Sequence, residues 1–195
     1  KASLPKLSLA GFDRRFKYFL VVMVLFTLGN SSDTFLVLRA QNLGANLVTL
    51  MAMILCFNIL YAALAGPAGG MSDRIGRKRV IVTGWLIYGL VYLGFALAGA
   101  VWQVFALYAV YGLYYAMTDG VGKALIADLV PKEKRGTAYG VFNAAVGFTA
   151  FPSSFIAGLL WSGLGPFGGF GPAAPFLFGA GLALVSAALL AAFQA

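Results

Sequence analysis

The stretch Gly69-Gly70-Met71-Ser72-Asp73-Arg74-Ile75-Gly76-Arg77-Lys78-Arg79 decides how this chain is read. It is the most charged stretch of a very apolar sequence, and long hydrophobic runs lie on both sides of it. A short turn that carries Arg74, Arg77, Lys78 and Arg79 between two such runs has a simple physical reading. It is a cytoplasmic hairpin between two membrane-spanning helices, held on that side by its positive charge.

Composition agrees with that reading. Of 195 residues, 61% are hydrophobic and 10% are charged, whereas a soluble domain carries about 25% charged residues. A bilayer-spanning helix needs roughly 20 apolar residues, so six spans and their turns account for nearly the whole chain. The net charge of +8 is not that of a nucleic-acid partner, because Lys and Arg fall in alternate loops as a topology signal. The sequence contains no His, which excludes His-based acid–base chemistry and His metal ligation. No enzymatic activity, cofactor or metal is expected. Cys56, the one cysteine, lies in an apolar run and reads as a small core residue.

Working outward, residues 1–16 form a basic cytoplasmic linker with Lys1, Lys6, Arg14 and Arg15, interrupted by Pro5 and Gly11. It leads into a full-length span, unlike a cleavable signal. Residues 17–195 form a six-helix transmembrane bundle with spans at about 17–38, 47–70, 80–98, 102–127, 137–161 and 174–193. The N-terminal segment and the loops at 71–79 and 128–136 are basic. The loops near 40–46, 99–101 and 163–172 carry only Arg39. With six spans, both termini are then cytoplasmic. The chain begins at Lys1 and stops at Ala195 directly after an apolar run, so a fragment or a processed product is expected.

The pattern Gly69-x-x-x-Asp73-Arg74-x-Gly76-Arg77-Lys78-Arg79 resembles the signature loop of the major facilitator superfamily, with Met71 where that family often has Leu. The loop from Asp128 to Gly136, with Arg135-Gly136 opening the next helix, is similar to the loop between the fourth and fifth helices of one of its halves. Gly29-Asn30-Ser31-Ser32-Asp33, and Phe151-Pro152-Ser153-Ser154 leading to Gly158-Leu159-Leu160-Trp161, resemble C-terminal halves of bacterial permeases in this superfamily. The resemblance implies an all-α membrane protein of six transmembrane helices, arranged as two inverted three-helix repeats. It also implies one half of a secondary active transporter, integral to a bacterial inner membrane, that moves a small solute by alternating access, with proton coupling as an option. Its partners are the solute, membrane lipid and a second six-helix half, in the same parent chain or from a homodimer.

In such a half the first helix of each repeat lines the cavity, which singles out the first and fourth spans. Asp33 and Asp119 each lie on the order of 25 Å along their helices. A carboxylate in the bilayer is costly and normally turns to a wet cavity or a partner. Asp33 sits with Asn30 and Ser32 in a polar cluster without a nearby cation, as a coupling site, a solute contact or a structural hydrogen-bond acceptor. Lys123 follows Asp119 at i+4 and can neutralise it. Tyr108, Tyr111, Tyr115, Asp119 and Lys123 share one helix face, either as cavity wall or as aromatic filling. Gly112, Ala116, Gly120 and Ala124 form a neighbouring small stripe that reads as packing. Asn58 and Asn143 read as hydrogen-bond glue between helices, with Asn143 a further cavity candidate. Pro67 and Pro152 are expected to bend their helices.

The resemblance also implies a conformational lock built on Gly69, Asp73, Arg74, Gly76, Arg77 and Arg135, forming a charge network with the other half. Asp128 and Glu133 are expected to join it against Lys134 and Arg135. The alternative class of function is a non-transporting receptor or assembly module on a transporter-like fold. Solute flux separates the two.

Overall fold

The computed structural model describes residues 9 and 11–192 of the 195. The expected linker residues Lys1 and Lys6, and Phe193 at the end of the expected last span, lie outside the described residues. Seven α-helices carry the fold among the described residues.

Helix α1 (Arg14–Gly29) starts where the Asp13 carboxylate accepts the Arg14 N–H at 2.6 Å. It begins inside what the sequence suggests is linker. It also stops early, since the expected first span is two helices, and α2 (Thr34–Asn42) follows a break at residues 30–33. The cause is local. Short polar side chains offer the backbone alternatives to helical bonds. Here the Ser32 hydroxyl takes the Thr34 N–H, and the Ser32 N–H goes to the Ser154 hydroxyl of another helix.

Asn46 caps α3 (Leu47–Ile75), accepting the Thr49 N–H at 2.9 Å. At 29 residues α3 is about 43 Å long, well beyond a hydrocarbon core of about 30 Å. It therefore absorbs most of the expected hairpin. Residues Gly69–Ile75 are its last turns, and only Gly76 interrupts before α4 (Arg77–Leu97). Gly76 has φ +96° with open space around it, a backbone conformation that Gly adopts without steric cost.

The fourth long helix, α5 (Val101–Leu129), is also 29 residues. A single turn of 3-10 helix (Lys132–Lys134) leads to α6 (Arg135–Ser162). The expected loop at 163–172 holds a small antiparallel hairpin, β1 (Gly163–Leu164) with β2 (Phe167–Gly168). Helix α7 (Ala174–Ala192) closes the described chain. Pro67 and Pro152 both sit inside unbroken helices.

Among the described residues, five stretches are long and apolar enough to cross a membrane: Arg14–Asn42, Leu47–Ile75, Arg77–Leu97, Lys132–Ser162 and Ala174–Ala192. The expected count was six. Helix α5 is the exception, and its sequence explains why: it carries Tyr108, Tyr111, Tyr114 and Tyr115 together with Asp119, Lys123 and Asp128.

Packing follows side-chain size. Helices α3 and α4 both lie on α5, α7 lies on α4, and α1 packs between α6 and α7. Gly112 lets α3 approach, for a Cβ there would meet the Phe57 carbonyl at 2.9 Å, while Gly120 in the same stripe faces open space. The centre is aromatic: Phe26 stacks on Trp85 at 4.6 Å, and Tyr88 on Tyr92 at 4.0 Å. The apolar windows of α3 and α6 are only 17% and 11% buried, against 56% in α4. Met51, Leu55, Phe148 and Phe151 are among their exposed side chains.

Candidate functional site

The break between α1 and α2 places Asp33 at the first residue before α2, yet its carboxylate does not cap that helix. It turns to α5 instead. Tyr111 donates its hydroxyl to Oδ1 at 2.8 Å, and Tyr115 donates to Oδ2 at 3.1 Å. Two of the three tyrosines expected on one face therefore meet the polar cluster expected on another helix. The third, Tyr108, is buried against Phe57 at 5.4 Å and Tyr111 at 6.0 Å. Among the described residues no Lys or Arg pairs with Asp33; the ion pairs are Arg77 with Asp73 and Asp128, and Lys123 with Asp119.

Asn30 donates its amide to the Tyr114 oxygen at 3.3 Å, and its Oδ1 is buried without a partner among the described residues. Ser32 stays with Thr34 and Ser154, away from the tyrosines. The free carbonyl of Gly29 accepts the Tyr88 hydroxyl at 3.1 Å. The broken helix is thus held by α4, α5 and α6 through side chains rather than by its own ladder.

Asp119 accepts Lys123 Nζ at 2.9 Å and the Tyr61 hydroxyl at 3.1 Å. The pair is half open, with side chains 41% and 53% exposed. Tyr139 donates to the Lys123 carbonyl at 3.1 Å. A cavity of about 300 Å³ brings Asn30, Tyr114, Tyr115, Asp119, Lys123 and Asn143 to one wall system. A second, of about 290 Å³, lies on the other side of Asp119 and reaches Tyr61, Asp73 and Arg77. Asp119 thus separates a cavity that touches the helix break from one that touches the basic stretch.

The charged helix ends form a network inside this chain. Arg77 pairs with Asp128 at 3.1 Å and more loosely with Asp73 at 3.5 Å, and it also donates to the Ala124 carbonyl. Arg135 donates to the Ala127 carbonyl at 3.1 Å. Lys134 reaches the Gly11 carbonyl, so the expected pairing of Asp128 and Glu133 with Lys134 and Arg135 is replaced. The reason is geometric. Gly76 sets Arg77 beside the last turn of α5, where carbonyls and Asp128 attract a cation. Gly69 contributes its carbonyl to the Ser72 hydroxyl, and Arg74 is exposed.

The fold agrees with sequence comparison. A family model described as Major Facilitator Superfamily matches residues 18–194. This chain belongs to the Major Facilitator Superfamily. With its long apolar helices, that membership makes it an integral membrane protein. It is 36% identical over 191 residues to the Uncharacterized MFS-type transporter MJ1317 of Methanocaldococcus jannaschii, covering 95% of this chain and 46% of that protein. It is 34% identical over 109 residues to Multidrug resistance protein MdtG of Serratia proteamaculans, covering 55% of this chain and 26% of the relative. Against the protein of that name in Escherichia coli O1:K1 / APEC it is 32% identical over 131 residues, covering 65% and 32%. The chain spans about half the length, or less, of these relatives.

Several residues of this superfamily member escaped the sequence reading. Tyr61, Tyr88 and Tyr114 each hold one end of the site, and none carries a charge to flag it. Tyr114 had the clearest available signal, since it neighbours Tyr115 and follows Tyr111 by three. Arg39 read only as a stray cation in an outer loop. It donates to the Phe95 and Ala98 carbonyls at 3.2 and 2.6 Å, tying α2 to the end of α4. Asn58 bonds the Ile54 carbonyl of its own helix at 2.8 Å, so it is not the interhelical link expected.

Proposed function

We propose that this chain is one six-helix half of a secondary transporter that moves a small solute by alternating access, with Asp33 as the coupling group. In this reading α5 is a sixth span despite its polar face. The stretch α1–α2, α3 and α4 form one three-helix repeat, and α5, α6 and α7 form the inverted second. Both termini are cytoplasmic, in keeping with the basic residues at 14–17, 74–79 and 132–135.

The observation that carries the reading is Asp33: a carboxylate at a helix break, accepting from Tyr111 and Tyr115, with no ion-pair partner among the described residues. An ionised carboxylate inside a membrane span is costly, up to about 3 kcal/mol at the helix centre on insertion scales. Two phenol donors reduce that cost without cancelling the charge. A proton or a cation cancels it, which is the property a coupling site needs. Broken helices at such sites are a recurring device in secondary transporters.

A second half covers the exposed apolar faces of α3 and α6 and turns the open cavities into a central path. The relative from Methanocaldococcus jannaschii has length for such a half, since this chain covers 46% of it. Relatives named multidrug resistance proteins make drug-like molecules the first solutes to screen.

The test is flux in proteoliposomes made from the intact protein. Asp33→Asn is expected to abolish flux driven by a proton gradient while the protein remains folded. Unchanged pH-dependent flux in that variant removes Asp33 from coupling. Absence of flux for every solute class in the parent favours the receptor reading.

A further inference from the structure

A third cavity, of about 370 Å³, lies where the start of α1, the start of α4 and the end of α5 meet. Arg15, Arg77, Lys78 and Arg79 line it, and Asp128 is its one carboxylate. Asp128 is taken up by Arg77 at 3.1 Å. Arg15 and Arg79 are exposed and pair with no carboxylate among the described residues. Three helix ends therefore hold a concave surface on which cations outnumber carboxylates. The rest of the wall is apolar: Ile75, 46% exposed, with Leu125 and Leu129 beside it.

Charge and apolar wall together select the ligand. Guanidinium groups bind phosphate oxygens by paired N–H donors. An aqueous phosphate uses the cations and has no use for Ile75, Leu125 and Leu129. A phospholipid uses both, headgroup against the arginines and glycerol-proximal chain against the leucines. In the topology proposed above the cavity lies at the cytoplasmic ends of the spans, and basic pockets between spans on that side hold anionic headgroups.

We propose that the cavity between Arg15, Arg77, Lys78 and Arg79 is a binding site for the phosphate of an anionic phospholipid. The site shares only Arg77 with the cavity beside Asp119 and does not reach Asp33, so it stands whatever the solute. The lipid bridges α1 and α4, which share no ion pair among the described residues. It leaves the Arg77–Asp128 contact in place and engages the two exposed guanidiniums.

The experiment titrates the intact detergent-purified protein with phosphatidylglycerol, with phosphatidylcholine and with inorganic phosphate, counting bound lipid by native mass spectrometry. The doubly substituted Arg15→Gln, Arg79→Gln protein is expected to bind phosphatidylglycerol roughly thirtyfold more weakly, at about 1 kcal/mol for each cation. A control protein with Lys17→Gln and Lys132→Gln, which loses the same charge outside the cavity, is expected to keep parental affinity. Equal weakening in the control means diffuse surface charge and overturns the site. So does equal retention of phosphatidylcholine, or undiminished phosphatidylglycerol binding in the double variant. Binding of inorganic phosphate without phosphatidylglycerol overturns the lipid assignment. Both arginines are exposed, and matched thermal unfolding of the variants excludes misfolding as the cause.

Discussion

At the residue scale, the main result is that Asp33 answers to Tyr111 and Tyr115 and to no cation among the described residues. Tyr111 is fully buried, so its hydroxyl has no water to fall back on. Tyr111→Phe leaves one carboxylate oxygen without its donor and is expected to destabilise the protein by about 1.5–3 kcal/mol, the range for hydrogen bonds to charged groups. Thermal unfolding in one fixed detergent checks this. Loss below about 0.5 kcal/mol, the scatter of ordinary surface changes, means the bond is not made. The Asp119–Lys123 pair makes the contrast. It is half exposed and spaced i, i+4, a geometry typically worth about 0.3–0.5 kcal/mol. Double neutralisation to Asn and Gln is therefore expected to leave stability nearly unchanged, and any loss of flux then reports on the cavity wall it shares with Asn143.

The element scale shows where sequence reading stops. Hydropathy marks the long apolar runs well, because each helix must bury its own backbone groups in lipid. It places α3, α4, α6 and α7 to within a few residues at most ends. It misses the end of α3, since charge reads as loop although the helix runs on to Ile75. It misses the break at 30–33 as well, for a cluster of small polar residues is compatible with a continuous span until tertiary partners compete for the backbone. Those partners lie far away in sequence: 59 residues separate Tyr88 from the Gly29 carbonyl and 122 separate Ser154 from the Ser32 N–H, while Tyr111 and Tyr115 lie 78 and 82 residues from the Asp33 carboxylate they bond. No local pattern encodes such a distance, and both halves of the site were visible without their meeting. Two glycines test the element geometry. Gly76→Ala has room for a methyl group but the wrong φ, and is expected to cost about 1–2 kcal/mol. Gly112→Ala has an acceptable backbone but no room before the Phe57 carbonyl, and a small-to-large change in a packed contact costs about 1–3 kcal/mol. Unfolding of α3 contacts, read by hydrogen exchange, separates the two: only the second is expected to loosen residues around Phe57.

At the scale of the whole molecule, the basic stretch proves to be a junction inside this chain. Arg77 is held more closely by Asp128 than by Asp73, so the contact that matters most ties α4 to α5, the first helix of the second proposed repeat. If this network biases the transporter toward one open state, Asp128→Asn is expected to shift thiol accessibility of cavity positions more than Asp73→Asn. An equal or reversed order of the two shifts argues that the bias comes from contacts with the second half instead. The exposed faces of α3 and α6 carry the complementary expectation. If the proposed second half covers that face, a cysteine at Phe151, in a Cys56→Ala background, is expected to resist aqueous thiol reagents in the intact protein.

The one-residue joint at Gly76 has a mechanical consequence. Two consecutive Cα steps span at most about 7 Å, so the ends of α3 and α4 cannot part company. A swing at the foot of α3 drags the foot of α4 with it, without slack. Arg77, Lys78 and Arg79 ride on that foot. On the alternating-access reading proposed above, a lipid held at the proposed site becomes a brake or a ballast on the stroke, and the lipid composition of the leaflet enters the rate of turnover.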